Sequence, residues 1–375
     1  MNVVSGKIKP SKIVIVGGGL AGLISSLLLN RAGYEVTLIE KKRYPFHRVC
    51  GEYISNEVRP FLKSLGIDVD SLCPSQISKL AISSVSGRSF NCELDLGGFG
   101  ISRFTLDNYL YEKASRQGVN FILGQKANQL SFRDNCFEST LDDATKLSSD
   151  FVIAAHGKRS NLDKSRAFFY RRSPYIGVKY HIKTDFQPDT VQLDNFLYGY
   201  CGTVKIENDR YCLCYLSRKE NLKRYGNIEE MERTVLWQNP ILRDRFKNSE
   251  FIFSKPEVIN EISFEQKTLI EDHVLFCGDS AGMISPLCGN GMAMAVHSAK
   301  LLCEAIIQYG TANRELVEKT YITQWNDFFA QRLLAGRLTQ KLFGSKLTSE
   351  LALLSLLNIK PLSNFIIKKT HGTPF

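Results

Sequence analysis

Three glycines and one acid define the first chemistry open to this chain of 375 residues. Gly17, Gly19 and Gly22 stand in a G-x-G-x-x-G pattern, and Glu40 follows 18 residues after the last of them. Gly17 permits a tight turn, Gly19 lets backbone N–H groups approach a pyrophosphate, and Gly22 lets a helix pack close to a strand. The helix N-terminus adds partial positive charge for phosphates, and the Glu40 carboxylate can accept the ribose hydroxyls of an adenosine. Together they describe a dinucleotide cradle.

The cradle needs elements in a fixed order. Ile13 to Val16 reads as a buried parallel strand, Leu20 to Ala32 as an apolar helix closing at Gly33, and Glu35 to Ile39 as a second strand. Strand, glycines, helix, strand and terminal acid in register make a βαβ unit. Further on, Phe151 to Ala155 is a strand ending in His156-Gly157-Lys158-Arg159-Ser160, a second contact for the dinucleotide. A strand at His273 to Cys277 runs into Gly278-Asp279-Ser280-Ala281-Gly282, and Pro286-Leu287-Cys288-Gly289-Asn290-Gly291 opens a long apolar helix from Met292 to Tyr309.

The intervening stretches change character. Residues 41–60 show no helical period until Ser55, where a short helix through Leu65 is expected. Segments 79–86 and 88–94 form a strand pair turning at Ser86-Gly87. Thr105 or Asp107 caps a helix carrying Leu106, Leu110 and Ala114 on one face, and Val119 to Leu123 follows as a strand. Strands are also expected at 126–132 and 135–140. From 166 to 265 short alternating segments dominate (175–183, 191–205, 210–217), with a hairpin turn at Glu207-Asn208-Asp209 and a helical, mostly polar stretch at 228–247. Helices are expected at 315–344, 347–357 and 361–368. The fold class is α/β: a Rossmann-like domain with an inserted mixed β-sheet domain and C-terminal helices. Its parts are 1–165 (with 79–100 open to membership of the substrate sheet), 166–265, 266–310 and 311–375.

Composition narrows the class. The length suffices for two intimately joined domains, and a hydrophobic fraction of 43% is that of a globular protein. No stretch reaches the ~18 uninterrupted apolar residues of a membrane span, and no signal peptide is apparent. Ten cysteines are scattered without C-x-x-C pairs, which suggests free thiols in a reducing cytoplasm and gives no metal site. The net charge of +10 is spread along the chain without a nucleic-acid module, so no nucleic-acid partner is expected. Attraction to an anionic cofactor, an acidic substrate or a membrane surface stays open.

These stations resemble the flavoproteins with the para-hydroxybenzoate hydroxylase fold, and within them the geranylgeranyl reductase-like proteins. The residues that carry the resemblance are Gly17 to Gly22 with Glu40, Pro45-Phe46-His47-Arg48-Val49-Cys50-Gly51-Glu52, Arg103 with Asp107, Ala155 to Ser160, and Cys277 to Gly282 through Gly291. The resemblance implies FAD as cofactor, held by Gly17, Gly19, Leu20, Ala21, Gly22, Glu40, Lys41, Arg48, Cys50, Gly51, Arg103, Gly157, Gly278, Asp279, Pro286, Gly289, Asn290 and Gly291. Asp279 would accept a hydrogen bond from a ribityl hydroxyl, and the Gly289-Asn290-Gly291 turn would bring N–H groups to the pyrimidine edge. Arg103 would lie near the pyrophosphate or adenosine. Cys50 is either a nucleophile or proton donor beside the flavin or a small buried residue, and Glu52 either orients or protonates a substrate or is a partly exposed loop carboxylate. His47 and His297 read as structural histidines.

The implied activity is an FAD-dependent oxidoreductase reducing a double bond in an apolar, isoprenoid or acyl-type substrate. The alternatives are an aromatic monooxygenase using NAD(P)H and oxygen, or a non-catalytic flavin electron-transfer protein. With no second G-x-G-x-x-G, NAD(P)H or another electron donor docks transiently. The W-x-W-x-I-P stretch of flavin-dependent halogenases is absent, Trp237 and Trp325 being isolated. Tyr198 and Tyr200 stand where many reductases carry an aromatic-rich stretch, and they either line a pocket or pack the sheet. The C-terminal region is simpler than in many family members, so no channel residues carry over there. Leu351, Leu353, Leu354, Leu356 and Leu357 followed by Lys368-Lys369 read as core packing or an interfacial helix. The expected setting is cytoplasmic, with a peripheral membrane contact open.

Overall fold

The computed structural model describes residues 11–342, 345–358 and 372–375. Along the chain, β1 (Lys12–Val16) runs into the glycine turn and α1 (Leu20–Arg31), and β2 (Glu35–Glu40) returns beside it. β3 (Tyr53–Ser55) and α2 (Arg59–Ser64) precede the hairpin of β4 (Ser75–Ser83) and β5 (Ser89–Gly100). α3 (Arg103–Gln117) leads to β6 (Asn120–Leu123), then to a meander of β7 (Ala127–Arg133), β8 (Cys136–Leu141) and β9 (Lys146–Ser149), and to β10 (Phe151–Ala154). The insert holds β11 (Tyr175–Lys183), β12 (Thr190–Phe196), β13 (Gly199–Lys205), β14 (Tyr211–Arg218), α4 (Lys219–Tyr225), α5 (Ile228–Val235), α6 (Pro240–Asn248), β15 (Glu250–Phe251) and β16 (Glu257–Asn260). The chain returns through β17 (Ile270–Glu271), β18 (Val274–Phe276), α7 (Gly291–Tyr309), α8 (Arg314–Leu342) and α9 (Lys346–Asn358).

Two large sheets and the three-stranded β7-β8-β9 sheet follow from this order. A six-stranded sheet runs β17-β18-β10-β1-β2-β6, and all of it is parallel except β17. Its central strands are apolar on both faces because the α1 layer covers one and the β7–β9 meander the other: Ile13, Ile15, Val152 and Leu275 are all buried. α1 lies between α3 and α7 and buries nine of its residues, which explains its nearly all-round apolar sequence. The second sheet runs β15-β11-β14-β13-β12-β4-β5-β3, with β16 paired to β11. It is mostly antiparallel, but β12 joins β4 in parallel, pairing Thr190 with Lys79. The insert is thereby fused to a hairpin from the first third of the chain.

Several expectations shift. β4 begins at Ser75 and β5 runs to Gly100, so this hairpin and β3 belong to the second sheet, as residues 79–100 left open. The 191–205 segment is two strands, broken where Tyr198 adopts φ +65°. β9 was unforeseen because Lys146–Ser149 is polar and lies in a small side sheet. Ser102, not Thr105 or Asp107, caps α3, accepting from the Thr105 N–H at 3.1 Å. The 228–247 stretch splits at Pro240, where Asn239 caps α6 through the Ile241 N–H at 2.9 Å. That stretch also buries Met231, Val235 and Leu242, so it packs more than its polarity implied. The expected helix at 361–368 lies outside the described residues.

Candidate functional site

The phosphate end is built by the turn after β1. Gly17 sits at φ +107°, and a Cβ there would collide with the Ala155 carbonyl. At Gly22 a Cβ would strike the Gly17 carbonyl, so only glycine lets α1 close on the strand. The first turn of α1 has no side-chain cap and no acid, leaving its N–H groups to an anion. The Gly18 N–H donates to Glu40 Oε2 at 2.8 Å and the Lys42 N–H to Oε1 at 3.0 Å. Arg48 reaches the Gly18 carbonyl at 2.9 Å, Glu40 at 3.1 Å and Asp107 at 2.9 Å. Asp107 also takes two bonds from Arg103, at 2.7 and 2.8 Å. Glu40 thus braces the loop while lining the cavity. Arg103 is held with its Nη2 toward Gly19, 3.7 Å from where a Cβ would stand.

A single cavity of about 1100 Å³ runs from this turn between the two sheets. Gly17, Gly19, Leu20, Ala21, Glu40, Lys41, Arg48, Cys50, Gly51, Arg103, Gly157, Gly278, Asp279, Pro286, Gly289 and Gly291 all line it. Gly22 acts behind it in helix packing. Asn290 is fully buried behind it, and its side chain hydrogen-bonds Glu57. The residues fit FAD on their own chemistry. Among the described residues no protein donor meets the Asp279 side chain, although it faces the cavity, and burial raises its carboxyl pKa against the pull of Lys267, Arg103 and Lys158. Such an acceptor suits hydroxyl donors of a ligand. α7 likewise begins at Gly291 with no side-chain cap.

Sequence reasoning missed what holds the late turn. Arg166, buried over the Phe276 ring, donates to the Thr268 carbonyl at 2.5 Å, the Ser280 carbonyl at 2.9 Å and Asp163 at 2.7 Å. Asp163 also bonds His156 Nε2 at 3.1 Å. Lys267 ties the carbonyls of Asp279 and Lys158, at 2.6 and 2.8 Å, and burial lowers its pKa to about 8. The longest of these links, Arg166 to Ser280, joins residues 114 positions apart, and no local pattern marks it.

The segment 46–53 floors the middle of the cavity. Cys50 lines it, and its sulfur meets the Glu52 N–H and the Arg103 guanidinium. Burial pushes the thiol pKa up, with Arg103 pulling the other way. Glu52, at φ +57°, is fully buried rather than a partly exposed loop carboxylate, because it bonds Lys179, His181 Nε2 at 2.7 Å and the Arg103 N–H at 2.8 Å. Burial alone would raise its pKa; Lys179 and His181 outweigh it and hold it at about 2. Glu52, His181 and Cys212 gather within 4.8 Å of one another, with the Lys179 ammonium already on the carboxylate. His47 stacks on Phe104 and meets His181 edge-on, while His297 stacks on Phe375 in the helical layer.

Beyond Cys50 the cavity becomes an apolar slot. Leu80, Ile82, Phe90, Leu94, Val191 and Leu193 from β4, β5 and β12 line it, and Tyr200 is buried along it. Tyr198 instead sits exposed at the hairpin tip. The far wall is α9, through Thr348, Leu351, Ala352 and Ser355. Leu351 is also 54% exposed, so the slot meets the surface there. Leu353 anchors α9 on Ile82, and Glu350 bonds the Ser86 hydroxyl. No helix among the described residues is long and apolar enough to cross a membrane.

Comparison with known proteins agrees with this geometry. Residues 11–192 match the family model of the FAD binding domain. The chain is 24% identical over 358 residues to conditioned medium factor receptor 1 of Dictyostelium discoideum, covering 84% of this chain and 67% of that protein. It is 22% identical to tryptophan 2-halogenase of Chondromyces crocatus, covering 79% of this chain and 61% of the relative, so it spans under two thirds of that protein. It is 24% identical to digeranylgeranylglycerophospholipid reductase of Methanococcus vannielii, covering 90% and 88%. Among solved structures, the flavin-dependent brominase Bmp2 superposes with a TM-score of 0.77 at 18% identity, covering 96% of this chain and 92% of the other. A geranylgeranyl bacteriochlorophyll reductase-like protein from Thermoplasma acidophilum superposes at 0.76 and 16%, covering 96% of each.

Proposed function

We propose that this chain, an FAD-dependent oxidoreductase of the para-hydroxybenzoate hydroxylase fold acting on an organic substrate, takes a long apolar substrate and reduces a double bond in it. One observation carries the reading: the cavity that cradles FAD continues without a break into the slot walled by Leu80, Ile82, Phe90, Val191 and Leu193. Burying an apolar chain there gains about 25 cal/mol per Å² removed from water. Few polar groups orient a ligand in that half, which suits an isoprenoid or acyl chain rather than a polar ring.

FAD, when bound, supplies two-electron transfer. The chain's own residues do the rest. The N–H groups that open α1, from Gly19 on, and Arg103 would hold the phosphates, Asp279 would take a hydroxyl, and the start of α7 would favour negative charge at the ring's edge. Cys50, whose thiol pKa burial raises, is a proton source at the flavin end of the slot. Leu351 and the neighbouring exposed Leu347 and Leu354 admit the substrate, and a membrane surface is the phase that would deliver it. Reducing equivalents come from transient NAD(P)H or another donor.

A second reading, an oxygen-consuming monooxygenase or halogenase, is favoured by the halogenase and brominase similarities. Photoreduced enzyme mixed separately with long-chain alkenes and with oxygen separates the two. Anaerobic reoxidation by the alkene with a saturated product supports the first reading. Reoxidation only by oxygen, with oxygenated or halogenated product, replaces it with the second.

A further inference from the structure

On β11, Gly177, Lys179 and His181 share one face, and that face is pressed against the 48–52 turn. At Gly177 a Cβ would come 3.3 Å from Val49, so the strand lies close. The Lys179 ammonium donates to the Arg48 carbonyl at 3.1 Å and to the Glu52 carboxylate, clasping the turn at both ends. His181 takes the other Glu52 oxygen at 2.7 Å. From the same turn the Arg48 side chain reaches Gly18 and Glu40. Lys179 itself does not line the cavity.

We infer that Lys179 is a positioning residue of the flavin site: from the substrate sheet it presents Cys50-Gly51 to the cofactor and braces the phosphate loop through Arg48. A buried ion pair is poor value as a stabiliser, since an apolar pair of similar volume does as well; what it provides here is a fixed turn. Glu52 at φ +57° has an unfavourable backbone that its three partners hold in place. The charged and titratable groups around Cys50 are Arg103 from α3, Glu52 from its own turn, Lys179 from β11, and Cys212 and Cys214 from β14. Lys179 is among those that draw the Cys50 thiol down.

The test uses the full chain and never measures turnover, so it stands on FAD binding and is independent of the alkene reading. Lys179→Met is titrated with FAD after flavin removal, and alkylation of Cys50 is followed against pH by peptide mass spectrometry. FAD binding weakens roughly tenfold, and the alkylation midpoint moves to higher pH. The double variant Glu52→Gln/Lys179→Met leaves no buried charge unpaired. It recovers the thermal midpoint while FAD affinity stays low. Wild-type affinity within about twofold and an unmoved alkylation profile in Lys179→Met overturn the inference. So does a double variant that regains FAD affinity together with its thermal midpoint. If Lys179→Met does not fold, the double variant decides by the same two readings.

Discussion

The guanidinium of Arg166 donates to the carbonyl of Ser280 at 2.9 Å, joining the segment after β10 to the turn that presents Asp279. Both residues are buried, and Arg166 has its countercharge in Asp163 at 2.7 Å. Arg166→Met leaves two carbonyls without this donor and Asp163 with only His156 and the Ser160 N–H. The cost expected is about 3 kcal/mol, as for a buried pair broken on one side. Urea unfolding of the apoprotein measures it. FAD retention falls as well, because the Asp279 turn loses its brace; an unchanged unfolding midpoint would show that Arg166 carries no such load.

Asp279→Ala removes the carboxylate that faces the cavity without a protein donor. Burial of Asp279 works against its charge, so the apoprotein loses little stability or gains some. FAD affinity falls roughly tenfold or more, the value of a charged hydrogen bond. Dialysis followed by the visible spectrum reads it directly. A variant that stays as yellow as the wild type removes Asp279 from the cofactor contacts.

Cys50→Ala keeps flavin, since backbone and not the thiol carries that part of the cradle. Turnover falls by about 10²-fold if the thiol donates a proton, with Cys50→Ser intermediate. Full activity in Cys50→Ala returns the residue to packing.

Glu52 makes the acid stability of the chain measurable. Its pKa is about 2 in the folded state against an ordinary 4.5, so its contribution is complete above about pH 4.5 and drains as pH falls toward 2. The full contribution is about 3 kcal/mol. The gap in unfolding free energy between wild type and Glu52→Gln therefore narrows by about 2 kcal/mol between pH 4.5 and pH 3. A gap constant over that interval would mean that Lys179 and His181 do not hold the carboxylate ionised.

Much of the cradle could be read from sequence because its devices are local. Gly17, Gly19, Gly22 and Glu40 act within one βαβ unit, and backbone geometry forces the glycines at 17 and 22. The same holds for Gly278 to Gly291, where a strand end and a helix start lie close in the chain. The pieces that escaped act across long separations. Lys179 meets Glu52 from 127 positions away and Lys267 meets Lys158 from 109, and neither lysine stands in a recognisable pattern. Ser102 was overlooked as the α3 cap because Thr105 and Asp107 offer the same chemistry nearby; Asp107 is drawn off by two arginines. The wall formed by α9 follows from how the helical layer folds back on β4 and β5, which periodicity alone does not give.

Gly202 offers the sharpest probe of the slot. It lines the cavity on β13, pairs with Leu193 of β12, and is flanked by ordinary packing. A Cβ there would meet only Leu193 Cδ2, at 3.6 Å, and two carbonyls at 3.7 and 4.0 Å, all normal contact distances. Gly202→Leu therefore places three further carbons in the slot without straining the sheet, and a strand generally gains from losing a glycine. The thermal midpoint should hold or rise, and FAD titration checks that the cradle stays intact, since Gly202 pairs with Cys214, a neighbour of Cys50. Activity then separates by substrate length. Long apolar chains lose roughly tenfold or more in kcat/KM, while substrates short enough to stop before β13 lose little. Steady-state assays over a series of chain lengths read the effect. A uniform loss over the series, or none, would mean that the substrate does not run along β12 and β13 and that the slot serves another purpose.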